Sequence, residues 1–163
     1  MPIPFAHPSF CGVFVKNDII LRAYDPASDL KTLSNIWFDA SLKAHAFLGE
    51  PRLRAQQALI ETTYLPAAET IVACHRERPV GFISLLDAFV GGLFVAPGQQ
   101  GRGIGRTLIA EALALKGELV LEVYTRNAEA FAFYGALGFA EISRRPSDDE
   151  GLPFENARLR LKA

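Results

Sequence analysis

Apolar and polar positions change period several times along this chain, and each change predicts an element. Residues 19–23 are a short apolar run that reads as a first strand. Leu30, Leu33, Ile36, Trp37 and Ala40 then recur every three or four residues behind Asp25-Pro26, so an amphipathic helix starts from an N-cap aspartate with proline at its first position. The spacing decays over residues 41–50, and Pro51 opens a second helical stretch that Tyr64-Leu65-Pro66 should end. Residues 71–74 and 80–86 read as a hairpin, and residues 89–95 as a third strand interrupted by Gly91-Gly92, glycines that mark a bulge or a close approach. Leu108, Ile109, Ala112 and Leu115 restore the helical period as far as Gly117. A strand over 119–124, a helix from Asn127 to Gly138 and strands over 139–145 and 157–161 complete the order. In the last strand Ala157, Leu159 and Leu161 alternate with Arg158, Arg160 and Lys162, so one face is wet.

This order predicts an α/β (α+β) domain: one mixed, mostly antiparallel twisted sheet of six to seven strands with helices on both faces. Residues 1–17 carry three prolines and little periodicity and read as an N-terminal extension, which leaves 18–163 as a single domain. Asp148-Asp149-Glu150-Gly151 reads as a solvated acidic hairpin loop. The sheet edge at the C-terminal end could pair in a homodimer.

Composition narrows the function classes. A net charge of −1 gives no electrostatic case for nucleic acid. The longest apolar runs fall far short of the roughly 20 residues that cross a bilayer, and the first residues have no basic region before an apolar core. A cytoplasmic protein with no membrane partner is the expectation. Two cysteines make neither a disulfide framework nor a cysteine-rich zinc site, and His7 and His75 have no partner at metal-ligand spacing, so no metal is implied.

The candidate chemistry lies between the strand over 89–95 and the helix that follows. Pro97-Gly98 stops the strand, and Gly101, Gly103 and Gly105 lead into the helix. Such a junction leaves N–H groups without intrahelical partners at the positive end of the helix dipole, and glycine keeps side chains away from them, which suits a phosphate or diphosphate. The P-loop spacing fails, with Gln100 in place of its first glycine and Arg106 in place of its lysine. The dinucleotide fingerprint fits Gly101 and Gly103 but meets Arg106 at its third glycine, although Glu122 falls about 20 residues on, where a ribose-binding acid would sit. What does match is Q/R-x-x-G-x-G, as Gln100-Gly101-Arg102-Gly103-Ile104-Gly105. Asn127-Ala128-Glu129-Ala130-Phe131-Ala132-Phe133-Tyr134, ending at Gly138-Phe139, follows one strand later.

Together the two segments resemble the cofactor motifs of the GCN5-related N-acetyltransferase (GNAT) family, in its small bacterial single-domain form. The resemblance is good over residues 80–145. It extends to residues 44–48, which look like the acceptor side of bacterial enzymes that modify protein lysines or N-termini. It implies a GNAT-like sheet, acetyl-CoA as cosubstrate and acetyl transfer to a primary amine, of a protein or a small molecule, by direct attack on the thioester. It further implies that the diphosphate is held by the backbone of Gln100, Gly101, Arg102, Gly103, Ile104 and Gly105, helped by the side chains of Arg102 and Arg106 and the Thr107 hydroxyl. Phe94, Val95, Asn127, Ala130, Phe133 and Tyr134 would line the pantetheine, with the Val95 amide as oxyanion donor and Tyr134 as the acid that protonates the leaving thiolate.

Asn127 and Tyr134 lie seven residues apart, on one helix face about 10 Å apart, with the small Ala130 between them. A general base is not evident, because Gly91-Gly92 stand where some family members carry a carboxylate. His45, as base or acceptor contact, Glu122 and Asp87 are the candidates. The glycine pair also suggests an open acceptor cleft. Two further readings remain at this level: an acyl-CoA-binding sensor without turnover, and a nucleotide-binding domain that leaves the second segment unexplained.

Overall fold

The computed structural model describes residues 13–15 and 18–163. Most of the expected extension therefore lies outside the described residues, and so do His7 and Cys11. Residues 13–15 are not an appendage: they form β1 (Val13–Val15), which pairs antiparallel with β2 (Ile19–Ala23). Next come α1 (Pro26–Ala44), α2 (Glu50–Leu59), α3 (Leu65–Ala67), β3 (Glu69–His75), β4 (Arg78–Leu86) and β5 (Phe89–Val95). The chain ends with α4 (Ile104–Lys116), β6 (Glu118–Tyr124), α5 (Ala128–Ala136), β7 (Ala140–Arg145) and β8 (Asn156–Lys162). One sheet runs β1-β2-β3-β4-β5-β6-β8-β7, and every neighbouring pair is antiparallel except β5 and β6. The expected architecture holds, with β1 as one strand more than the apolar pattern predicts.

Each face of the sheet carries its own core. Leu33, Ile36, Trp37 and Phe38 of α1 pack with Leu53 of α2 against Val72, Cys74 and Phe82. Ile104, Leu108, Ile109 and Ala112 of α4, with Tyr134 of α5, cover Ile71, Ile83, Leu119 and Leu121 on the other face. Asp25 caps α1 as expected, its Oδ1 accepting from the Ala27 N–H at 3.1 Å. The second helical stretch does not stop at Pro66. A π-helical turn over Ile60–Tyr64 carries the helix on into α3, with Pro66 inside the continuous stretch.

Asp29 ties α1 to the sheet. It is 2 % exposed, accepts from both Arg22 nitrogens at 2.6 and 2.8 Å, and takes the Asp25 N–H at 2.8 Å. The Arg22 hydrogen bonds hold its carboxyl below the usual range. That stabilisation is present above the ordinary aspartate value of about 3.9 and is lost as pH falls through the lower folded value. Asp29→Ala should cost about 2–4 kcal/mol, below the top of the range for breaking buried pairs because Arg22 is one-third exposed. In a thermal melt at pH 7 that is a loss of roughly 5–12 °C for a domain of this size. The gap between variant and wild type should shrink below pH 4.

The acidic loop differs from its expectation. Asp148 is buried and accepts the Glu150 and Leu152 N–H groups at 3.0 and 2.9 Å and the Tyr124 hydroxyl at 3.4 Å. Asp149 pairs with Arg145 at 2.7 Å, and Glu150 pairs with Arg52 of α2. Arg145 beside the loop and Arg52 from the distant α2 hold it in place, so it is pinned rather than merely solvated.

Candidate active site

β5 and β6 run parallel but pair at one register position, Phe89 with Val120, where the Val120 N–H donates to the Ala88 carbonyl at 2.9 Å. Beyond it the strands part and leave a wedge that opens toward their C-terminal ends. A bulge accompanies the split: Ser84 faces Gly92 and Leu85 faces Val90, so Gly91 is left over. Gly92 does not open a cleft, contrary to the expectation. The Phe94 ring lies over it, so close that an added Cβ would stand 2.5 Å from Phe94 Cε2. Phe94 in turn stacks near Trp37 and Phe82, at centroid distances of 6.2 and 5.6 Å on the α1 side, so its side chain belongs to that core.

Val95 is placed otherwise. The Ala96 N–H donates to the Val80 carbonyl at 2.8 Å, and successive residues of an antiparallel ladder turn their backbone groups to opposite sides. Val95, opposite Gly81, therefore aims its N–H and carbonyl away from β4 and into the wedge. The carbonyl accepts from Gln100 Nε2 at 3.2 Å, and Gln100 Oε1 accepts from Lys43 Nζ, in the last turn of α1, at 2.9 Å. Gln100 thus spends its side chain on bracing the strand end. The backbone N–H of Val95 faces the open wedge.

The glycine loop fits an anion. Gly101 and Gly103 have φ of +81° and +80°, and an added Cβ would meet nothing within 4 Å at either, so the space around them is open. Gly103 is the N-cap of α4 and supplies no side-chain bond, and the first helical bond runs from the Thr107 N–H to the Gly103 carbonyl at 3.0 Å. The N–H groups of Ile104, Gly105 and Arg106 are accordingly free of intrahelical partners. Arg102 and Arg106 are exposed and make no ion pair among the described residues, Thr107 is half-buried beside them, and the Ile104 side chain is in the core. Gly105 joins the two motifs, since its Cβ would stand 3.1 Å from the Phe133 ring. This cradle of oriented N–H groups and unpaired guanidinium groups suits a diphosphate.

On α5, Tyr134 is 8 % exposed, between Phe133 and Phe139 at centroid distances of 5.2 and 5.4 Å, in one cluster with Leu93, Val95 and Ala130. Its hydroxyl makes no hydrogen bond among the described residues, and burial pushes its pKa up, so it stays a proton donor at any physiological pH. Asn127 caps α5, its Oδ1 accepting from the Ala130 N–H at 3.2 Å, while its Nδ2 donates to His45 Nε2 at 3.2 Å.

The base candidates fare differently. Burial pulls His45 down to about 4 and keeps it neutral, and Nε2 already serves as the acceptor for Asn127. Glu122 is held between Arg145 at 2.5 Å and Arg158 at 3.4 Å. Asp87 is exposed in the turn before β5, with Val95 at the other end of that strand, about 20 Å away. Glu122 is thus engaged by two guanidinium groups, and Asp87 is far from the Val95 N–H.

Several site residues have no motif to announce them. Phe47, Tyr124 and Phe154 form an aromatic cluster with centroids 5.0 to 6.4 Å apart, and the His45 ring lies 5.1 Å from Tyr124. Burial and the nearby Asp148 carboxylate push the Tyr124 phenol up to about 12. The cluster joins the segment after α1, the end of β6 and the loop before β8, and so walls the mouth of the wedge.

Comparison with known proteins follows the same lines. Residues 66–141 match the family model described as an acetyltransferase (GNAT) domain. Peptidyl-lysine N-acetyltransferase YjaB of Escherichia coli strain K12 is 34 % identical over 120 residues, which cover 73 % of this chain and 81 % of that protein. Peptidyl-lysine N-acetyltransferase YiaC of the same strain is 31 % identical over 127 residues, 77 % of this chain and 87 % of that one. The solution structure of apo-form YjaB superposes with a TM-score of 0.79 at 31 % identity, over 87 % of this chain and 96 % of that chain.

Proposed function

The chain belongs to the GNAT family of acetyltransferases, and from that premise we propose that it moves the acetyl group of acetyl-CoA to the side-chain amine of a protein lysine. The single observation that carries the proposal is the wedge between β5 and β6, which leads from the free N–H groups of α4 past the Val95 N–H to Tyr134. The lysine acceptor draws support from the printed activity of two relatives.

Bound in the wedge, acetyl-CoA supplies an activated thioester. Its diphosphate fits the N–H groups of residues 101–106 with Arg102 and Arg106, and its extended arm fits the channel walled by Ala130, Phe133 and Tyr134. The Val95 N–H donates to the acetyl oxygen as negative charge develops there during amine attack. Tyr134 gives its phenolic proton to the departing sulfur, and the proton that the attacking nitrogen sheds returns to the phenol through solvent. Asn127 and His45 hold each other and fix the near wall, so His45 is a positioning residue and an acceptor contact rather than the base.

The acceptor therefore arrives as the free amine, or sheds its proton to water. A lysine amine titrates near 10.4, and His45 is already neutral above pH 5 or so, with its value pulled down to about 4. The expected pH profile of kcat/KM climbs about tenfold per unit from pH 7 to 9, without an inflection near 6.5. A plateau above pH 7 that disappears in His45→Gln would restore His45 as the base. The direct test follows release of the CoA thiol and the acetyl mass increment on lysine peptides. Tight acetyl-CoA binding with no transfer to any amine would make the protein a sensor instead.

A further inference from the structure

Arg126 stands at the mouth of the wedge with its charge unspent. Arg22, Arg52, Arg145 and Arg158 each reach a carboxylate, whereas Arg126 makes neither an ion pair nor a side-chain hydrogen bond among the described residues. Glu129, one helical turn away, does not pair with it, and Asp148 is committed to Tyr124 and two backbone N–H groups. Arg126 is nevertheless held in place. Its Cζ lies 5.1 Å from the Phe154 ring centroid and 5.7 Å from that of Phe47, and the two rings are 5.0 Å apart. Stacking on two aromatic faces fixes a guanidinium while leaving its N–H fork free.

Connectivity places that fork relative to the chemistry. Arg126 lies in the turn between β6 and α5, which the Asn127 N–H closes on the Tyr124 carbonyl at 3.0 Å. That turn stands at the C-terminal end of β6, the end toward which the wedge opens. Arg126 directly precedes Asn127, whose side chain touches His45. A stacked, unpaired, exposed guanidinium beside the Asn127–His45 wall fits a carboxylate carried by the acceptor near its amine.

Building on the acetyl-transfer reading above, we propose that Arg126 is a specificity-determining residue that binds an acceptor carboxylate beside the amine to be acetylated. In a protein acceptor this is an acidic residue next to the target lysine. The same chemistry is offered by the α-carboxylate of a free amino acid.

The test measures kcat/KM of wild type, Arg126→Gln and Arg126→Glu on three peptides that differ only in having Glu, Gln or Lys beside one lysine. Free lysine and lysinamide form a second arm. Wild type should favour the Glu peptide over the Gln peptide by about tenfold, the scale of one partly exposed charge-assisted contact. Arg126→Gln should erase the difference, and Arg126→Glu should shift preference to the Lys peptide. Preference for free lysine over lysinamide without a peptide effect would assign the carboxylate to a small amino acid. Equal turnover in both arms would overturn the proposal, and so would a raised acetyl-CoA dissociation constant in Arg126→Gln, which would move Arg126 to the cofactor side. Acetylation of no amine at all would fell the acetyl-transfer reading itself, an outcome separate from acetylation without flank preference.

Discussion

Tyr134→Phe is expected to lower kcat by roughly 10²- to 10³-fold while changing the dissociation constant for acetyl-CoA by no more than about threefold, the pattern of a lost general acid. The variant removes one oxygen from a ring packed between Phe133 and Phe139. That oxygen makes no hydrogen bond among the described residues, so the change should cost the fold about 1 kcal/mol or less. The phenol of Tyr134 is held protonated by burial. A free CoA thiol has a pKa near 8.5, so in the proposed mechanism the Tyr134 phenol would spare the enzyme from expelling a bare thiolate into an apolar site. Steady-state turnover paired with calorimetric titration of acetyl-CoA separates the effects. Loss of kcat alone supports the acid. Equal loss of affinity would make Tyr134 a packing residue of the arm channel, and unchanged kcat would mean that water protonates the sulfur. A thiol-release assay at pH 9, above the free thiol's pKa of about 8.5, where the product is stable as the thiolate and needs no proton, should narrow the deficit.

Positions set by local backbone geometry are legible in the sequence; positions that depend on distant side chains are not. Gly101, Gly103 and Gly105 are set by the strand-to-helix turn they make, and the structure gives the first two positive φ and the third a ring at its Cα. Leu33, Ile36 and Trp37 are buried on the face their spacing marks, and Ala157 and Leu159 on theirs. Three residues of β1 are too few to show a period, and pairing with β2 is what makes them a strand. Lys43 and Gln100 meet across 57 positions, and the cluster of Phe47, Tyr124 and Phe154 gathers three elements that no local pattern relates. The acidic loop misled for the same reason: its partners Arg52 and Tyr124 come from elsewhere in the chain. His45 was legible as a candidate only. Its neutrality and its bond to Asn127 follow from burial beside an N-cap, which one residue in a sequence cannot reveal.

Gly103→Glu should raise the dissociation constant for acetyl-CoA by 100-fold or more, about 2.7 kcal/mol or above. Two causes act together and can be separated. At φ +80° any Cβ is strained, by roughly 1–2 kcal/mol. The added carboxylate would also stand at the positive end of α4, where it can accept from the N–H groups of Ile104, Gly105 and Arg106 and occupy the diphosphate's place. Capping the helix repays part of the strain, so the melting temperature should fall by no more than about 4 °C while binding collapses. Gly103→Ala carries the strain without the charge and should keep affinity within about fivefold. Gly117 supplies the matched control. It has φ +79° and equally open surroundings but sits at the C-terminal end of α4. Gly117→Glu should lower the melting temperature more than Gly103→Glu, because a carboxylate opposes the dipole there, and should leave acetyl-CoA binding alone. If Gly103→Glu binds acetyl-CoA like wild type, the diphosphate does not rest on α4, and the wedge between β5 and β6 loses the anchor that gives it its direction.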